Sequence, residues 1–234
     1  MKILTVLLVL FTASLNTTSR DWKKDRPISS FTKLSVSSGI DVYLTQGNSE
    51  RLTIESKGVD EEDVKSEVRN GTLRLYIERK GGNWGFNFGR DRYVKAYLTF
   101  KQLTDLQASG GADVLGQGTL SFNDLNVDAS GGADIKLTLK ANDLNASASG
   151  GADLLIEGSA RVLNASGSGG ADLDARKLVV EVGNAVSSGG SDVYINATRE
   201  LSLKASGGSD IYYYGSARVL GKSESGGSDI TKRN

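Results

Sequence analysis

Seven aspartates, Asp113, Asp134, Asp153, Asp172, Asp192, Asp210 and Asp229, recur at steps of 18 to 21 residues and are the most chemically loaded feature of the chain. Each closes a five-residue phrase, Ser-Gly-Gly-Ala-Asp in four copies and Ser-Gly-Gly-Ser-Asp in three. Carboxylates in such a series have three uses. They accept hydrogen bonds from backbone N–H groups or serine hydroxyls at their own turn, as Asx turns do. They hold a ladder of Ca²⁺ ions between successive carboxylates and turn carbonyls. Or a pair such as Asp172 and Asp174, with Asp153 and Asp192 in adjacent coils, works as acid and base on a polysaccharide. The first use suits a residue that is the pattern itself, since a catalytic group is usually a single break in a pattern. No cofactor is therefore expected, and Ca²⁺ on the seven aspartates is the alternative.

Composition removes much other chemistry. The chain contains no histidine and no cysteine. A Ser-His-Asp triad, a thiol nucleophile, a disulfide and an ordinary zinc site are all excluded. Lysine plus arginine and aspartate plus glutamate are both 28, so no net field steers the chain toward nucleic acid.

A fixed period near twenty is the mark of a solenoid, each repeat one coil stacked on the last. After each Gly-Gly the residues alternate: Ala133, Ile135, Leu137 and Leu139 share one face, Asp134, Lys136 and Thr138 the other. A second strand runs into each phrase, as in Leu125, Val127 and Ala129 or Leu201, Leu203 and Ala205. Each coil thus has two short strands joined at a Gly-Gly corner, the two glycines supplying angles that residues with a Cβ avoid. The residue before the serine is small in six copies (Ala108, Ala129, Ala148, Gly167, Ser187, Ala205), so the strands approach closely there. In the last copy Lys222 and Glu224 take inward positions, which reads as the end of the stack. Parallel stacking about 4.8 Å apart gives a stack on the order of 29 Å over six steps. The expected fold is all-β, a right-handed parallel β-helix or β-solenoid.

The first half alternates without repeating. Strands are expected at 33–36, 40–45, 51–55, 72–78 and 93–100, and a short helical turn within 60–67. Ser38-Gly39-Ile40-Asp41 is a degenerate copy of the phrase and marks the first coil. Residues 28–108 are expected to form irregular coils that cap one end of a single domain spanning 28–234, with the seven repeats in 109–234. A Gly-rich stretch from Gly81 to Tyr93 carries Trp84, Phe86 and Phe88. Aromatic rings beside Asn, Asp and Arg suit a sugar-binding surface, and also suit a small satellite core. The outward Tyr194, Tyr212 and Tyr214 are further candidates for ligand contact. Residues 1–19, with Lys2 followed by an apolar run from Ile3 to Phe11, read as a signal peptide. The chain is then exported, to the periplasm, the outer surface or the medium, and no later apolar run is long enough to cross a bilayer. No cysteine follows the run to carry a lipid anchor.

The signal-like start, the irregular β half and the reiterated glycine turns at 110–111, 131–132, 150–151, 169–170, 189–190, 207–208 and 226–227 resemble the head GIN domain family of autotransporter adhesins. The resemblance spans the chain from about Ile28 onward. It implies a fold similar to that of pectin lyases without their catalytic residues, and a non-enzymatic role in adhesion. The partner is then a glycan or cell-surface ligand, or a further copy of the chain, with no nucleic acid. The alternatives are an envelope protein with no specific ligand and, last, a carbohydrate-active enzyme.

Overall fold

The alternation of small or aliphatic residues with polar ones dictates the architecture. In the computed structural model, which describes residues 21–78 and 92–234, every coil of the repeat half closes around the aliphatic set. Strand β11 (Asp134–Gly150) buries Ile135, Leu137, Leu139, Leu144, Ala146 and Ala148 and turns the intervening residues outward. β12 (Asp153–Gly169), β13 (Asp172–Gly189) and β14 (Asp192–Gly207) follow the same plan. Each is nearly continuous from one Gly-Gly corner to the next, where the sequence suggested two short strands. The two halves nevertheless pair separately. Residues 134–140 of β11 lie beside β9 (Asp113–Ser121), and residues 143–150 lie beside β10 (Asp124–Gly131). Two parallel ladders result, facing each other across one core. The ladder entering the corners is called A and the ladder leaving them B.

The corners hold like over like. Gly131 stacks on Gly150, Gly150 on Gly169, and Gly169 on Gly189. The first glycine of the pair has a positive φ, 75° at Gly131 and 76° at Gly150. A Cβ on Gly150 would stand 3.1 Å from the N and O of Gly131. The second glycine differs from expectation. Gly132, Gly151, Gly170, Gly190, Gly208 and Gly227 are not in the left-handed region, and a Cβ on Gly151 would make only ordinary contact. Only in the first copy do both members, Gly110 and Gly111, take positive φ.

The residue after the glycines points inward, and the two versions of the phrase differ there. Ala112, Ala133, Ala152 and Ala171 are fully buried. In the serine copies the hydroxyl replaces solvent with the chain itself. Ser209 Oγ donates to Ser206 O at 2.9 Å and accepts from Ser206 N–H at 3.3 Å, a bridge across the corner that Ser191 and Ser228 repeat. The expected tightness before the serine is also present: a Cβ on Gly167 would lie 2.9 Å from Val193 Cγ2.

The first half joins this stack out of order. β2 (Lys33–Val36) and β3 (Ile40–Gln46) meet at Ser38-Gly39, both at positive φ, and lie parallel to β8 (Asp105–Ser109) and β9. The degenerate phrase is therefore a true corner. It is not the outermost one. β6 (Thr72–Ile77) and β7 (Tyr93–Phe100), later in sequence, lie parallel to β2 and β3 on their far side. The cause is a reversal in chain direction: β4 (Arg51–Lys57) pairs antiparallel with β7, and β5 (Val64–Arg69) pairs antiparallel with β6. β1 (Trp22–Arg26) closes ladder B on β4, also antiparallel. The segment expected to turn helically gives one turn, Val64 N–H to Glu61 O, and then continues as β5. No helix forms among the described residues, and none is therefore long and apolar enough to cross a membrane.

At the other end β15 (Asp210–Tyr214) and β16 (Arg218–Gly226) flank β14, and β17 (Asp229–Lys232) lies on β15. Lys222 and Glu224 sit over Leu203 and Ala205, the inward columns, as the sequence indicated for the end of the stack.

Candidate functional site

Register turns sequence positions into columns. The seven aspartates align in one column on the outer face of ladder B, each beside the next. Asp41 extends it to eight, in register with Asp113, and Lys95 of β7 lies beside Asp41 at the closed end. Burial pushes the Asp113, Asp153 and Asp192 carboxyls above the usual range, and the flanking aspartates push them further the same way. Burial also raises Asp41, against the pull of Lys95. At Asp210 the carboxylate hydrogen bonds do not take the form of an Asx turn. Asp210 Oδ1 accepts the N–H of Asp229 in the next coil at 3.1 Å, and its other oxygen accepts the Tyr212 hydroxyl at 3.0 Å. Among the described residues no group of three or more acidic side chains converges as a metal cage would require.

Two residues further along each strand, a second outward column runs beside the aspartates. In stack order it reads Tyr97, Tyr43, Leu115, Lys136, Leu155, Asp174, Tyr194, Tyr212 and Thr231. Sequence reasoning found Tyr194 and Tyr212 and missed Tyr43 and Tyr97. Those two belong to the non-repeating half, where alternation alone does not fix which coil lies over which. Tyr97 and Leu115 are each 37% exposed, which is high for large apolar side chains on a packed sheet.

The tyrosines form two stacks at opposite ends of this column. Tyr194 and Tyr212 lie with centroids 4.9 Å apart. The remaining ring faces are covered by cations, Arg176 at 4.1 Å from Tyr194 and Arg233 at 5.0 Å from Tyr212. Arg176 reaches this position because β13 carries extra residues between Ala175 and Val179, where the register shifts. Asp174 Oδ1 accepts from its Nε at 2.9 Å and holds its pKa above the usual arginine value. The Tyr212 phenol is pushed up by its hydrogen bond to Asp210, and Tyr194 by burial and then by Asp192. This sandwich presents hydroxyls and guanidinium edges outward rather than free ring faces. Tyr214 lies in register with Asn196, outside the stack.

At the closed end Tyr43 and Tyr97 stack at 5.2 Å, with Lys23 4.9 Å from the Tyr97 ring. Glu55 gathers the neighbourhood: it accepts from Lys23 at 2.9 Å, Tyr93 at 3.2 Å and Tyr97 at 3.4 Å. The Lys23 hydrogen bond is the main cause of its lowered pKa. The candidate rings of Trp84, Phe86 and Phe88 lie outside the described residues, as does the segment read as a signal peptide.

The opposite face, ladder A, carries an asparagine ladder that the sequence reading overlooked. Asn145 Nδ2 donates to Asn126 Oδ1 at 2.8 Å, Asn164 to Asn145 at 2.8 Å, and Asn184 to Asn164 at 2.9 Å. Asn126 in turn donates to Asp105, whose pKa is lowered chiefly by the Thr104 hydroxyl. Its signal was the asparagine that stands four residues before four successive phrases, at Asn126, Asn145, Asn164 and Asn184. Here the amides satisfy one another, which reads as structural.

The family model described as "Putative auto-transporter adhesin, head GIN domain" matches residues 30–217. The chain belongs to that family. Solved structures share the fold of this head GIN domain. A "putative adhesin" from Bacteroides fragilis NCTC 9343 is 22% identical, with a TM-score of 0.81 over 91% of this chain and 97% of that one. A "putative adhesin" from Parabacteroides distasonis ATCC 8503 is 16% identical, with a TM-score of 0.73 over 92% and 98%. A "putative lipid binding protein" from the same organism is 17% identical, with a TM-score of 0.70 over 93% and 98%. At these identities the likeness is one of fold. No curated protein matches the sequence. The head GIN domain is thus an adhesin-like β-solenoid.

Proposed function

We propose that this head GIN domain is a non-enzymatic, exported binding head whose contact surface is the outer face of ladder B, and that its ligand is an extended cell-surface glycan. The observation that carries this reading is the single outward column with a tyrosine stack at each end and the exposed Leu115 between them. A parallel ladder presents like groups at about 4.8 Å intervals. Such regular spacing suits a ligand that is itself a repeating polymer. The adjacent aspartates and tyrosine hydroxyls supply acceptors and donors for sugar hydroxyls, while Leu115 and Tyr97 supply apolar contact. The Trp84, Phe86 and Phe88 loop remains part of the proposal as a second contact.

The test is retention of the mature chain on immobilised surface polysaccharides, with Tyr194→Ala/Tyr212→Ala, Tyr43→Ala and Trp84→Ala compared with the parent. Loss of retention in the tyrosine variants with unchanged thermal midpoint supports the ladder B surface. Loss only in Trp84→Ala moves the site to the loop, and no retention of any glycan by the parent favours an envelope protein without a ligand. Turnover of an acidic polysaccharide that disappears in Asp172→Asn would instead make the domain an enzyme.

A further inference from the structure

The two ends of the solenoid are finished differently. The β6/β7 end is finished by two short antiparallel edge strands, β5 and β1, whose charges are paired: Lys24 and Arg26 to Glu61, and Lys65 to Glu78. At the other end, no strand among the described residues pairs with the outer edges of β16 and β17. β16 is nine residues long and exposed over almost its whole length, including Leu220 at 53%. A long open edge is a template for another strand.

The charges on this edge say which strand fits. Lys222 and Glu224 occupy inward positions with Ser223 between them; they pair with each other at 3.1 Å, and Glu224 also accepts the Ile230 N–H at 2.6 Å, capping β17 there. Inward charges repel any strand that brings apolar or like-charged residues opposite them. A pattern of Lys-Ser-Glu is its own complement when reversed. We propose that the open end binds a second copy of this chain, head to head, through antiparallel pairing of β16 with β16 about a two-fold axis at Ser223. Antiparallel pairing centred there sets Lys222 opposite the second copy's Glu224, and Glu224 opposite its Lys222, on the same inward face. The contact extends ladder A, and it is closed: an isologous pairing uses the same edge of both copies, so the assembly stops at two. It leaves the outer face of ladder B free, so it stands or falls separately from the glycan reading.

Sedimentation of the mature chain over a range of concentrations tests this. The expected result is a mass twice that of one chain. Lys222→Glu places glutamates opposite glutamates and should give a monomer, and Glu224→Lys should do the same with lysines. An equimolar mixture of these two variants should restore the doubled mass, which a merely misfolded variant could not do. A parent chain monomeric at every concentration overturns the proposal. So do a Lys222→Glu variant that stays dimeric, a mixture that stays monomeric, and open-ended growth in place of a dimer.

Discussion

Asp41 stands directly beside Asp113, although the whole of β4 to β7 separates them in sequence. The degenerate Ser38-Gly39 corner is thereby a full member of the repeat. It shares the doubly left-handed backbone of the adjoining Gly110-Gly111 corner, with serine in the place of one glycine. Conformation and stacking, more than the letter of the phrase, define the corner.

The two glycines of a corner should respond differently to substitution. Gly150→Ala forces a Cβ into the left-handed region, which costs about 1–2 kcal/mol, and also presses it on Gly131 at 3.1 Å. Gly151→Ala meets neither obstacle and should change stability by no more than about 0.5 kcal/mol. Urea unfolding of both variants checks this. Equal losses would show that the second glycine is held by something other than angle and space.

Acidity should act on the aspartate column with a definite sign. Burial, and then the flanking Asp134 and Asp172, raise the folded pKa of Asp153 above the ordinary aspartate value of 3.8. The folded state therefore binds its proton more readily, and this group adds stability as pH falls through the raised value toward 3.8. Asp153→Asn, which mimics the neutral acid, should raise the thermal midpoint at neutral pH. That advantage should shrink on acidification and be gone once the pH lies below the ordinary aspartate value. Glu61 and Asp105, whose pKa values are lowered, act oppositely and lose their contribution as pH falls through their folded values. The comparison of variant with parent at each pH isolates the column from these groups.

Calcium should leave the midpoint where it is. The aspartates stand in single file with one carboxylate per layer, whereas Ca²⁺ takes six to eight oxygens. Thermal unfolding with EDTA and with millimolar Ca²⁺ is the measurement. An upward shift with Ca²⁺ would mean that the column holds cations.

Asn145→Ala removes one rung from the middle of the asparagine ladder and two side-chain hydrogen bonds. The expected loss is about 1–2 kcal/mol, from roughly 1 kcal/mol per bond. Adding Asn164→Ala should cost less than the sum of the two single changes, because the pair shares a bond. Additive losses would mean that the rungs act independently.

Coil period, inward and outward faces, and the polar finish at Lys222 and Glu224 were all legible because glycine and aspartate repeat in visible phase. Layer order was not. Nothing in residues 51–100 says that β6 and β7 slip beneath β2 and β3, since that depends on the antiparallel reversal at β4. Tyr43 and Tyr97 escaped notice for this reason. Arg176 escaped for another: its place over Tyr194 comes from an irregularity in β13, and spacing rules describe the regular coil. Asn126, Asn145 and Asn164 recur at the coil period too, but only the register shows that their amides meet.

The out-of-order layer also bears on how the molecule assembles as it is made. β2 and β3 emerge early but end with neighbours on both sides, so they cannot be finished until the chain has doubled back through β7. Once that closed block exists, each later coil needs only the one before it as a template. Assembly then runs as a one-way zipper, with a slow, long-range start and a fast, local finish.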